Sequence, residues 1–202
     1  GEFHCLRKGG EKCFAISGEN QFHAIFGHDD ICAITHPSDT APPLAALNAS
    51  VSVTGAGGKR AIPLTQLHVL PSENVAAETV LKPGEILTRI EVPPPKASLK
   101  TSYRKVRARQ AWDFALAGVA LALEMDGDSV IDGRIVLSGA APVPWRSKRA
   151  ESVIRGRRLE ERIIKEAAAA AVADARPLSD NAYKLSLFKG VLTEELTAIG
   201  KG

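Results

Sequence analysis

The chain has 202 residues, 45% of them hydrophobic, which is enough for one well-filled core or two smaller ones. Its 26 basic and 23 acidic residues leave a formal net charge of +3, a near balance that makes no case for a nucleic-acid or membrane partner. No apolar run reaches the roughly 18 residues of a membrane span, and no charged-then-apolar leader opens the sequence, so no membrane span and a soluble protein are expected.

The sequence opens GEFHCLRKGG with no initiator, and its single methionine is Met125; it is expected to be the C-terminal part of something longer. The three cysteines, Cys5, Cys13 and Cys32, all fall in a stretch rich in Gly, Lys and Glu with little periodicity, which reads as a loop-like insert over residues 1–32. Their wide spacing lacks the tight C-x2-C pairs of zinc sites but is tolerable for an iron–sulfur cluster. A metal site would still need a fourth ligand. The alternative is that the thiols are small buried hydrophobes.

From Ile31 the pattern changes to a strand over Ile31 to Thr35, then Ser38 or Asp39 as N-cap of a helix running through Leu44 and Leu47. His36 would sit at a strand end just before that cap, where ligands of α/β sheets bind. Asp39 has two readings, a helix cap or a carboxylate accepting hydrogen bonds from a ribose hydroxyl. SVSVTGAGGKRAIPL alternates, breaks over Gly55 to Gly58 and alternates again, as a hairpin does. A strand from Ile86 to Val92 follows a Pro-Gly turn and stops at Pro93-Pro94-Pro95, which cannot continue a ladder and marks a boundary.

Beyond the prolines, TSYRKVRARQ reads as a strand with Tyr103, Lys105, Arg107 and Arg109 on one face, suited to a phosphate or else to a solvated, charge-protected edge. Two strands flank an Asp126-Gly127-Asp128 turn, LEERIIKEAAAAAVADA is a helix of high propensity, and a last helix carries Leu185, Phe188, Leu192 and Leu196 on one face. A three-stranded antiparallel sheet backed by helices accounts for this half. No nucleophilic triad, P-loop or G-x-G-x-x-G string is present.

The strings CFAISGENQFHAIFG, CAITHPSDTAPPLAALNA, VLKPGEILTRIEVP, YRKVRARQAWDFALAGVALAL and RPLSDNAYK resemble, in order and over nearly the whole chain, the flavin-binding medium subunit of molybdenum hydroxylases. The resemblance is to the xanthine dehydrogenase and bacterial aldehyde oxidoreductase branch that carries an iron–sulfur insert. It implies an α/β plus α+β fold: residues 1–95 as a partial FAD-binding domain with the Cys-rich insert, and 96–202 as a C-terminal α+β domain. It implies FAD as cofactor, with Asp39 a flavin-contacting acid, Leu87 a backbone contact, Lys105 a basic contact, and Trp112 and Asp113 closing the same segment. Thr35, His36, Pro37 and Ser38 would line the turn beside Asp39. It further implies that Cys5, Cys13 and Cys32 ligate a [4Fe-4S] cluster whose fourth ligand lies upstream of Gly1.

The implied function is electron transfer. A large subunit with a molybdenum cofactor oxidises an aldehyde or heterocycle, a small 2Fe-2S subunit passes the electrons on, and the FAD delivers them to an acceptor. A cytoplasmic setting is expected, with the periplasm as the other compartment in which such proteins occur. The rival readings are a docking fragment that binds partner subunits but no FAD on its own, and a zinc-stapled binding module.

Overall fold

The alternation between residues 50 and 63 does form a hairpin. In the computed structural model, which describes residues 4–111 and 113–201, strands β1 (Ser50–Gly55) and β2 (Gly58–Pro63) pair antiparallel from Ser50↔Pro63 to Gly55↔Gly58. Strand β3 (Ile86–Glu91) adds to the other side of β1, giving the order β2-β1-β3. The β1/β3 register slips between Ser52 and Val53, where Ser52 faces Arg89 and Val53 faces Leu87. Thr88 is therefore the extra residue of a bulge, and its hydroxyl donates to Ser52 O at 3.1 Å.

The second half is built on β4 (Leu99–Val106), β5 (Ala117–Asp126) and β6 (Ser129–Ser138), antiparallel neighbours as the sequence predicts. Two short additions were not foreseen: β7 (Trp145–Arg146) and β8 (Arg157–Arg158) both pair with β6, making a five-stranded sheet among the described residues. Of the helices, α1 (Phe14–Ser17) and α2 (Ala41–Ala46) precede the hairpin, whereas α3 (Lys148–Ile154), α4 (Glu161–Ala171) and α5 (Tyr183–Lys201) follow the large sheet. α4 and α5 fall where their periodicity puts them. α3 does not emerge from the sequence pattern.

Strand β5 explains how the halves meet. Its side chains alternate large and small: Val119, Leu121 and Leu123 join Ile163, Ala167, Phe188, Leu192 and Leu196 in one core under the helices. Ala120 and Ala122, on the opposite face, join Ala45, Val51, Val53 and Ile62 in a second core against α2 and the small sheet. A strand covered on both faces reads as a nearly continuous apolar run, and AGVALAL does. Methyl groups on the second face let the small sheet and α2 come close, and the Arg134 guanidinium reaches Ala46 O across the seam.

Three expectations need correction. Ile31 to Thr35 is not a strand: it is apolar because Cys32 and Ala33 are buried, yet it joins no ladder and is held by isolated bonds such as Ala24 N to Ala33 O (2.9 Å) and His36 N to Ala141 O (2.9 Å). The basic strand stops at Val106, opposite Ala117 where β5 begins, so Arg107 and Arg109 lie beyond the sheet and do not extend the Tyr103–Lys105 face. Finally, the loop-like insert over residues 1–32 contributes to the packed interior at its C-terminal end. Asn20, Ala24, Ile25, Phe26 and His28 are buried, with Ile25 N and Phe26 N donating to Ala140 O, and Arg176 N donating to Ile25 O.

Candidate functional site at the seam

Asp39 and Lys105 are 66 residues apart and meet directly. The Lys105 ammonium lies 2.6 Å from Asp39 Oδ2. Two local causes bring them together. The turn before α2 is fixed by Ser38, whose hydroxyl accepts from Thr40 N (3.2 Å) and Ala41 N (3.0 Å), with two prolines in the first helical turn. Ser38 thus fixes the turn, while the N-cap position falls on Thr40 with no side-chain cap bond; the expectation of a cap at Ser38 or Asp39 is corrected, and the Asp39 carboxylate is turned to the sheet. On β4, period-two geometry puts Tyr103 and Lys105 on the face that looks toward α2.

Tyr103, which the sequence places with Lys105 on the face suited to a phosphate, completes the group. Its hydroxyl donates to Asp39 Oδ1 at 3.4 Å. Burial, and then the Asp39 carboxylate, push its phenol up to about 12, so it is a permanent donor. Ser138, at the end of β6, stands opposite Gly118, which in turn faces Lys105 in the ladder, and donates to Ser38 O at 3.5 Å, tying the turn to the sheet. Lys105 is 18% exposed and Asp39 52%, so the pair faces solvent with one flank covered.

Beside it, Arg104 to Gln110 line an open hollow of about 480 Å³ that offers several guanidinium donors. Asp113 accepts from Phe114 N (2.9 Å) and pairs with Arg109 at 3.3 Å, which shapes the loop between β4 and β5. That loop holds Phe114 with 70% of its surface in solvent. A carboxylate, an ammonium and a phenol on one open face, with Arg107 (bonded to Ala111 O) and Arg109 (paired with Asp113) in the adjoining loop, form a donor and acceptor set that fits a large anionic ligand with hydroxyl and ring N–H groups, as a flavin dinucleotide is.

The other predicted residues divide. Thr35 is half-buried in the same extended segment. His36 turns its ring onto His68, with centroids 4.3 Å apart in an edge contact, and burial lowers its pKa. Its Nε2 and His68 Nδ1 are buried without a partner among the described residues. Leu87 packs its side chain against the second core while its backbone pairs with Val53 beside the bulge. Trp112 lies outside the described residues.

The three cysteines differ in burial, Cys5 and Cys13 being half-buried and Cys32 buried. All three are free, Cys32 is buried, and burial pushes its thiol up, with Cys13 adding to the effect and Arg7 opposing it. Among the described residues no group of three His, Cys, Asp or Glu side chains is close enough to hold a metal. The spacing that tolerates a cluster also lets Cys32 serve as a core residue, which is where it is found.

Comparison with known proteins bears on this site. Residues 29–95 match the family model for the FAD binding domain in molybdopterin dehydrogenase, and residues 101–198 match that for the CO dehydrogenase flavoprotein C-terminal domain. The aldehyde oxidoreductase FAD-binding subunit PaoB of Escherichia coli is 35% identical over 93% of this chain and 56% of its own length. The glyceraldehyde dehydrogenase medium chain of Sulfolobus acidocaldarius is 33% identical over 71% of this chain and 49% of its own. A solved carbon monoxide dehydrogenase from Hydrogenophaga pseudoflava superposes with a TM-score of 0.70 at 27% identity, over 78% of this chain and 54% of that one. The chain therefore spans about half the length of the relatives it matches.

Proposed function

Because the chain belongs to the family of FAD-binding medium subunits of molybdenum hydroxylases, we propose that it forms part of an electron-transfer FAD subunit, receiving electrons from iron–sulfur clusters and passing them to an acceptor. Its partners in this reading are a large subunit with the molybdenum cofactor and a 2Fe-2S small subunit, and the assembly is an aldehyde- or xanthine-type oxidoreductase. The observation that carries the reading is the convergence of Asp39, Tyr103 and Lys105 on one open face, from the two regions that the FAD-binding and C-terminal family models cover. When bound, FAD supplies the redox chemistry.

The chain's own residues bind and orient. Lys105 offers a fixed positive charge and Asp39 accepts hydrogen bonds from ligand hydroxyl or N–H groups. Tyr103 holds the carboxylate in place, and the arginines of the adjoining loop draw in an anion. Among the described residues no group of three His, Cys, Asp or Glu side chains that could hold a metal ion supports the iron–sulfur part of the expectation. The three free cysteines suit a reducing compartment, in keeping with a cytoplasmic setting.

The chain covers only 56% of PaoB, which favours a second reading in which these residues dock partner subunits and hold no FAD alone. An absorbance spectrum separates the two. Flavin bands in the purified chain support the first, bands only at the protein's natural length support the second, and a colourless natural-length protein rejects the first. At natural length, Lys105→Ala is expected to lower flavin retention about tenfold, whereas exposed Lys148→Ala leaves it unchanged; equal retention would remove the role given to Lys105.

A further inference from the structure

Lys184 is the most unusual side chain outside the site. It lies in the first turn of α5, none of its surface reaches solvent, and its ammonium meets three backbone carbonyls: Gly139 O at 2.8 Å, His23 O at 2.9 Å and Phe22 O at 3.0 Å. An ammonium has three donors, and here each finds one acceptor. A charge in this position is costly unless fully hydrogen-bonded, so such an arrangement is strongly geometry-dependent. Asn181 reinforces it from the same turn, donating to His23 O and Ala24 O at 3.2 Å.

One of the three acceptors leads to the flavin face. Gly139 begins a turn in which consecutive carbonyls are all taken: Gly139 O by Lys184, Ala140 O by Ile25 N and Phe26 N, and Ala141 O by His36 N. Gly139 has φ +70°, and a Cβ there would meet Ala115 O at 2.6 Å, so the turn is packed against the end of the β4–β5 loop. Immediately before it, Ser138 reaches Ser38 O and stands opposite Gly118, the β5 residue that faces Lys105. The turn after β6 thus touches the segment that carries Asp39 and adjoins, through Gly118, the part of β4 that carries Lys105.

We propose that Lys184 is a positioning residue for the cofactor face: by clamping Gly139 to the Phe22–His23 backbone it fixes the turn that sets the distance between Asp39 and the Tyr103–Lys105 edge. The inference rests on the FAD reading above. Lys184 touches no ligand in this arrangement and acts through Ser138, His36 and the backbone between them.

The test measures flavin release from the natural-length protein bearing Lys184→Met, Lys105→Ala, or both, with circular dichroism to verify folding. Folded Lys184→Met is expected to release flavin about tenfold faster than wild type. The double variant is expected to release it no faster than Lys105→Ala alone, because both changes act on one pair. Wild-type release from folded Lys184→Met, or effects that multiply in the double variant, overturns the inference while leaving the FAD reading intact. Wild-type release from Lys105→Ala removes the role given to Lys105 and overturns the inference with it, whereas a colourless natural-length protein overturns the FAD reading itself. Should Lys184→Met not fold, Lys184→Gln, which keeps two donors, is read by the same criteria; failure of both to fold shows that the clamp serves the fold alone and also overturns the proposal.

Discussion

Glu151 and His68 show how single side chains in the interior answer to charge. Glu151 is 3% exposed, takes Ile135 N at 3.0 Å and is gripped by Arg146 at 2.8 and 2.9 Å. Glu151→Ala would strand a partly buried guanidinium and a buried N–H, and is expected to cost about 3 kcal/mol, read from the urea midpoint. His68 responds to pH. Burial, with His36 adding to it, lowers its pKa from 6.5 to about 4. Between those values the unfolded chain binds the proton and the folded chain does not, so stability falls as pH drops from about 6.5 toward 4. His36 and His23 are displaced in the same direction. Melting temperatures followed from neutral to mildly acidic pH should fall for wild type and fall less for His68→Phe; equal slopes would refute the assignment.

At the level of elements, what periodicity could encode was legible. Helix α5 buries Phe188, Leu192 and Leu196 fully, as the spacing requires, and Phe188→Ala should cost about 3–5 kcal/mol in a chemical denaturation experiment. The β1/β2 and β5/β6 hairpins were marked by turn chemistry. The misses share a cause, which is that local pattern carries no information about partners. Ile31 to Thr35 has strand-like composition but no ladder, and β4 ends where its neighbour ends, not where the basic run does. Two-residue β7 and β8 and seven-residue α3 are too short to show a period. The site was half legible: Asp39 and Lys105 could be named, Tyr103 could be put on the right face, and the resemblance suggested why. Lys184 could not be found, since nothing in NAYKLSLF distinguishes a lysine turned inward from one in solvent.

For the whole molecule, the two cores lie on opposite faces of one strand, so neither half is covered without the other. Despite the prolines at 93–95, residues 4–95 and 96–201 should unfold together in a single transition by circular dichroism and calorimetry. Two separated transitions would count against a shared β5. The methyl-thin side of that strand also acts as a spacer. Ala120 stands opposite Tyr103 in the ladder, and in place of its single carbon a bulkier residue would wedge the α2 layer outward, carrying Asp39 away from its lysine. The width of the gap in which a redox carrier would be gripped is thus set from beneath by the smallest side chains in the protein.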